Sequence, residues 1–299
     1  MSQSEPGWDD QRAFLAVVDT GSLSAAARAL GLTQPTVRRR VEDLERSIGQ
    51  PLFARGVNGL APTEHARALA EHVRRMGFAS QAFGRAASEK AGSVAGSVRL
   101  SVPDFVGVEV LPPMLGALSK RHPDLDVELV LSNASADLLH QEADIAVRMH
   151  PPRQDALVMR HVGRIPVGFF AAPAYVEARG LPQSMKDLEG HRLIGPDRSP
   201  AELAVVDALL TREGVAARFA LRTDNHPAQL AAVRAGLGIG VAQVPIGQRD
   251  LVRVLPDVVV YELDTWIVAH EDLRRSARID AVFTHLVAAF GAYCAGSRV

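Results

Sequence analysis

Cysteine is almost absent from this chain: Cys294 stands alone among 299 residues. A lone thiol excludes an intramolecular disulfide, a CxxC redox pair and a zinc cluster built on thiolates. Lysine is scarce as well, with Lys90, Lys120 and Lys186 the only three of 33 basic residues. Long apolar runs are also lacking. The uncharged stretch from Ala235 to Gln248 is interrupted by glycines and Pro245, and falls short of the ~20 apolar residues a membrane span needs. Met1 to Gly7 carries neither the basic nor the apolar segment of a secretion signal. No GxSxG, HExxH or GxxxxGK[ST] pattern occurs, and the ten histidines are scattered without ligand spacing. The expectation is a cytoplasmic protein that is not an enzyme and has no metal site, catalytic residues or cofactor.

What is present is ordinary for a globular chain, 47% hydrophobic and 22% charged. At roughly 100–200 residues per domain, its length predicts about two domains. The net charge of −1 rules out a globally basic nucleic-acid protein but conceals an asymmetry. Residues 1–91 hold 12 basic and 10 acidic side chains, and the remainder 21 and 24. Between Arg28 and Arg55 there are six arginines and only three acids, Glu42, Asp43 and Glu45.

Helical periodicity accounts for the first 90 residues. Phe14, Leu15, Val17 and Val18 mark the buried face of a helix over 8–19. Thr20-Gly21-Ser22 stops it and caps an alanine-rich second helix, which Gly31 closes. Thr33 caps a third helix, with Pro35 in its first turn and Val37, Val41, Leu44 and Ile48 as its stripe. Two short helices around Leu30-Gly31-Leu32-Thr33 form a helix-turn-helix pattern. Away from the apolar stripe stand Gln34, Thr36, Arg38, Arg39 and Arg40, near the end where a recognition helix meets base edges and phosphates. Pro51–Arg55 and Gly59–Ala61 read as a small β-hairpin. A helix from Pro62 to about Lys90 spaces Ala66, Leu69, Val73, Met76, Phe83 and Ala87 as a narrow seam, which suits pairing with a second copy. Residues 91–97 are a linker of small residues.

Beyond residue 97 the texture becomes α/β. Strands are expected at 98–102, 127–131, 144–148, 162–171, 237–241, 258–263 and 266–270. Helices are expected at 111–121, from 136, at 228–235 and at 279–294. Gly236-Leu-Gly-Ile-Gly240 follows a helix instead of opening one, so it reads as close helix-to-strand packing and not as a nucleotide cradle. A polar set falls at strand ends and helix starts: Asp104, Asn133, Ser135, Arg148, Asp197, Arg198, Thr223, Asp224 and Asn225, with Phe105 beside the first. Open α/β sheets bind ligands at such places.

The run Phe14 to Ala27, then Leu30-Gly-Leu-Thr-Gln-Pro-Thr-Val37, Asp43-Leu-Glu45 and Leu52-Phe-Ala-Arg55, resembles LysR-type transcriptional regulators almost residue for residue. Leu111-Pro-Pro, His122-Pro-Asp, Asp144-Ile-Ala-Val-Arg148 and Ala172-Pro-Ala-Tyr175 extend the likeness along the chain. The resemblance implies a winged helix-turn-helix DNA-binding domain over 1–61, a linker and dimerisation helix over 62–91, and an α/β effector domain over 92–299. That domain would comprise two Rossmann-like lobes, lobe I at about 96–162 and 266–299 and lobe II at about 163–265, like a periplasmic binding protein. Double-stranded DNA, a small-molecule effector between the lobes and a homodimer or homotetramer are the implied partners. The implied DNA-binding residues are Ser22, Gln34, Pro35, Thr36, Arg38, Arg39 and Arg55. For the effector they are Asp104, Phe105, Asn133, Ser135, Arg148, Asp197, Arg198 and Thr223. Arg148 favours an anionic ligand and Asp104 opposes one. A ligand-independent DNA-binding protein whose second domain only drives assembly is the alternative. A solute-binding or enzymatic α/β protein whose helices bind a partner is a third reading.

Overall fold

The computed structural model of the chain describes residues 6–56, 59–87, 93–133, 143–151, 157–270 and 276–296. They form two compact units, one up to residue 87 and one from residue 93 onward.

In the first unit, α1 (Trp8–Thr20), α2 (Leu23–Leu30) and α3 (Gln34–Ile48) each end on a glycine with left-handed backbone, Gly21, Gly31 and Gly49. Ser22 and Thr33 cap α2 and α3 by accepting from the backbone N–H of Ala25 and Thr36, each satisfying a donor the helix leaves orphaned. A hairpin of β1 (Phe53–Gly56) and β2 (Gly59–Pro62) follows, then α4 (Glu64–Ala87). Val17, Ala26, Ala27, Val37 and Val41 form one core and Phe14, Leu44 and Leu52 another.

The seam expected along α4 is divided. Ala66 and Val73 are buried in the unit's own core with Phe14, Leu44 and Leu52, and Leu69 is half-buried against the same cluster. Met76 is 45% and Phe83 75% exposed. The reason is length: α4 has 24 residues against 13 in α1, or about 36 Å against about 20 Å at 1.5 Å per residue. The helix outruns the small core on which it begins.

The second unit opens with β3 (Gly96–Val102), a π-helical turn over Val106–Val110, α5 (Leu111–Arg121), β4 (Leu125–Leu131), β5 (Ile145–Arg148) and β6 (Leu157–Ala171). Next come α6 (Pro173–Arg179), a 3-10 turn over Met185–Gly190, β7 (Arg192–Gly195), α7 (Pro200–Arg212), β8 (Arg218–Arg222) and α8 (His226–Arg234). It closes with β9 (Gly240–Gln243), the single turn α9 (Val244–Gly247), β10 (Val252–Val254), β11 (Tyr261–His270) and α10 (Ala277–Ala295). The main sheet runs β10-β6-β11-β5-β3-β4, with β9 also on β6, and β7 pairs with β8 in parallel apart from it. Neighbours β3, β4 and β5 are parallel, whereas β11 is antiparallel to both β5 and β6. Val98, Leu100, Ile145 and Val147 pack with Val282, Phe283, Leu286 and Phe290 of α10. A separate cluster gathers Phe169, Tyr175, Leu188, Leu193, Ile239 and Val254.

Two strand expectations change. The strand expected at 258–263 starts only at Tyr261 and runs on through 266–270 as one strand, β11, since the irregularity between Thr265 and Trp266 is a bulge opposite the Gly163 region and not a break. The strand placed at 237–241 starts instead at Gly240. Gly236 has a left-handed backbone, and a side chain at Gly238 would lie 2.3 Å from the Arg192 carbonyl oxygen. The packing role read for these glycines holds: a Cβ on Gly240 would stand 2.5 Å from a Val233 methyl. The helix expected from residue 136 lies outside the described residues.

Candidate functional site

In the first unit the surface of interest is the N-terminal half of α3. Gln34, Pro35, Arg38 and Arg39 are exposed, and neither arginine is ion-paired among the described residues. Thr36 is half-buried, its hydroxyl 2.7 Å from that of Thr33. Ser22 is likewise engaged as the α2 cap. Arg40 leaves this face: its guanidinium donates to the Asp9 carbonyl at 3.2 Å and pairs with the Asp9 carboxylate at 3.2 Å. At 100° per residue it points back toward α1, away from Arg38. Glu45 Oε1 accepts from the backbone N–H of Leu52 at 2.7 Å and of Phe53 at 3.3 Å, which fixes the hairpin against α3. Arg55 pairs with Leu60 in the hairpin backbone, and its side chain lies outside the described residues.

In the second unit a cavity of about 360 Å³ opens at the ends of β3, β4 and β5 and is closed by α7, α8, β9 and β11. Its wall is mainly apolar, with Phe105, Val106, Met149, Val205, Val206, Val241, Val260 and Leu263. Polar groups enter from Asn133, Arg148, Glu202, His226, Gln229, Gln243 and Tyr261. Arg148 is 5% exposed and donates to the Ser101 carbonyl at 3.1 Å, the Ser101 hydroxyl at 3.1 Å and the Val147 carbonyl at 2.8 Å.

His226, the first residue of α8, joins three elements at the cavity. Its Nε2 lies 3.2 Å from Glu202 Oε2 on α7, and its Nδ1 lies 3.3 Å from Asp104 Oδ1 beyond β3. A carboxylate at each nitrogen favours the imidazolium, the form in which both nitrogens donate. Its pKa is raised accordingly, first by the Glu202 bond and further by Asp104, against the opposing effect of burial. The Tyr261 hydroxyl is pushed up to about 12, mainly by burial and also by the Glu202 charge. At the other end of α8, Arg234 grips both oxygens of Glu109 in the π-helical turn, at 2.8 and 3.0 Å, and Asp250 at 2.8 Å.

Residues 8–67 match the bacterial regulatory helix-turn-helix protein family of the lysR type, and residues 91–291 match the LysR substrate binding domain. The chain is 30% identical over 297 residues to a protein of Klebsiella pneumoniae described as a "probable HTH-type transcriptional regulator LtrA", with 96% of each chain covered. This chain belongs to the LysR family of DNA-binding transcriptional regulators. Solved structures agree on the fold. Full-length AphB, a virulence activator of Vibrio cholerae, matches 94% of this chain and 98% of its own with a TM-score of 0.60 at 22% identity. CbnR, solved with its target DNA, matches 95% of this chain and 99% of its own with a TM-score of 0.69 at 19% identity.

The regulator's candidate effector residues divide into three groups. Phe105, Asn133 and Arg148 line the cavity, and Asp104 stands behind it, bonded to His226. Asp197, Arg198 and Thr223 do not line it. Asp224 accepts from the backbone N–H of Asp197, Arg198 and Ser199, so these residues shape a turn, and the Thr223 hydroxyl accepts from Asn225 N–H. Ser135 lies outside the described residues. Sequence reasoning missed Glu202, His226, Gln229, Gln243 and Tyr261. His226 has a local signal, a histidine entering a helix capped by Asn225, but nothing in its neighbourhood announces carboxylates 24 and 122 residues away. Among the described residues no helix is long and apolar enough to cross a membrane.

Proposed function

We propose that the regulator reads operator DNA with Gln34, Pro35, Thr36, Arg38 and Arg39, with Ser22 and Arg55 on the phosphate backbone, and that a small effector in the second unit controls it. The cavity carries this reading. It is an apolar pocket with convergent polar groups at strand ends, of the size small ligands occupy. The continuity of β6 and β11 across the unit supports a division into lobe I, about 96–162 and 266–299, and lobe II, about 163–265. The exposed apolar end of α4, Met76 and Phe83, supports a homodimer or homotetramer, since two half-sites require two recognition helices.

The test pairs operator binding with ligand binding. Arg39→Ala should lose about 1–3 kcal/mol of discrimination between operator and random DNA. Arg55→Ala should weaken both and reduce the salt slope by about one. A metabolite that stabilises the protein should also shift operator affinity. Stabilisation with no such shift would favour the second unit serving assembly alone.

A further inference from the structure

We propose that the cavity selects an amphiphile whose polar end donates hydrogen bonds, an alcohol or amine on an aromatic or branched apolar body, and discriminates against the matching carboxylate. This rests on the cavity being the effector site and specifies the chemistry it takes. Its apolar wall includes Phe105, Val106, Met149, Val241 and Val260. At roughly 30 Å³ per atom, the volume share of a liquid water, it holds about a dozen non-hydrogen atoms.

The polar end is decided by which groups are already engaged. His226 has a carboxylate at each ring nitrogen, and three hydrogen bonds of Arg148 run to Ser101 and Val147. Both side chains direct these groups at the protein. On the ligand side stand an acceptor, Glu202, and a hydroxyl, Tyr261, beside the side-chain amides of Asn133 and Gln243. Glu202 uses one oxygen on His226, and its other oxygen has no partner among the described residues. The Tyr261 hydroxyl also has none there, and it feels the Glu202 charge. A ligand hydroxyl can accept from Tyr261 and donate to Glu202, and an ammonium donates to both. A carboxylate would place like charge against Glu202 in a mainly apolar pocket, which is unfavourable.

Isothermal titration of the full-length protein at neutral pH with benzyl alcohol, benzylamine and benzoate tests this, because the three share a body and differ at the head. Benzyl alcohol and benzylamine should bind at least about tenfold more tightly than benzoate, a difference near 1.4 kcal/mol. Glu202→Gln should abolish the advantage of the amine. Val260→Phe, which fills the apolar wall, should abolish binding of all three. Benzoate binding as tightly as the others, yet lost in Val260→Phe, would overturn the proposed selectivity and leave the cavity as effector site. Binding that survives Val260→Phe, or no binding by any probe, would overturn both.

Discussion

The tie between α3 and the hairpin gives the sharpest prediction. Glu45 is the last member of the Asp-Leu-Glu motif, and its Oε1 accepts from two successive backbone N–H groups, at 2.7 Å and 3.3 Å. The first belongs to Leu52, whose residue is fully buried. A hydrogen bond to a charged acceptor contributes about 1.5–3 kcal/mol, and a buried donor left unsatisfied costs a similar amount. The bond to Phe53 is long and adds little. Glu45→Ala should therefore destabilise the first unit by about 2–3 kcal/mol. For a domain of this size, with about 4–8 °C per kcal/mol, its melting transition should fall by about 10–20 °C. Glu45→Gln keeps an acceptor without the charge and should lose about half as much. Calorimetry on the full-length protein reads this transition directly. Glu42→Ala is the control, an exposed acid three residues away on the same helix. A Glu45→Ala transition within about 2 °C of wild type, or an equal drop in Glu42→Ala, would refute the reasoning, given that surface changes stay within about 0.5 kcal/mol.

Other expectations follow from the same geometry. Val73→Glu should unfold the first unit by burying a charge, whereas Phe83→Glu should keep its melting transition and lower the mass seen by sedimentation; identical behaviour of the two would refute the division of α4. The raised pKa of His226 makes its clamp stabilising in full below the ordinary histidine value near 6.5, and the contribution is lost as pH rises through the folded value. The urea-midpoint advantage of wild type over His226→Gln should thus shrink from pH 6 to pH 8.5, and a constant difference would show that the ring is not charged in the fold. Gly240→Ala should cost about 1–3 kcal/mol by crowding Val233 and Ile194, measured by urea unfolding of the second unit.

The first unit was legible almost throughout because its signals are local. Capping residues, left-handed glycines and a 3.6-residue apolar stripe act within a turn or two of the chain. Thr33 and Pro35 place the start of α3 by themselves, and its exposed arginines stand out once the stripe is known. Periodicity cannot say what covers an apolar stripe. Val73 and Phe83 both fit the seam of α4, yet one is in the core and the other at the surface. Arg40 reads like Arg38 and Arg39 until Asp9, 31 residues earlier, claims it.

In the second unit, composition and pattern were enough for an α/β unit and for the packing role of Gly236 to Gly240. The cavity was a different matter. Its polar set was sought among loop residues at strand ends, and for Asp197, Arg198 and Thr223 those positions serve the turn capped by Asp224. Glu202, His226 and Tyr261 sit within regular elements, where sequence offers no reason to single them out. Sequence alone determined where the first unit's helices begin, which faces are apolar and that arginines gather away from the apolar stripe of α3, because these depend on neighbours a few residues away. Only the tertiary structure decided which charges are already engaged. Asp104, Glu202 and His226 meet through contacts up to 122 residues apart in the chain, and no local pattern encodes a contact between groups that only folding brings within 3.5 Å.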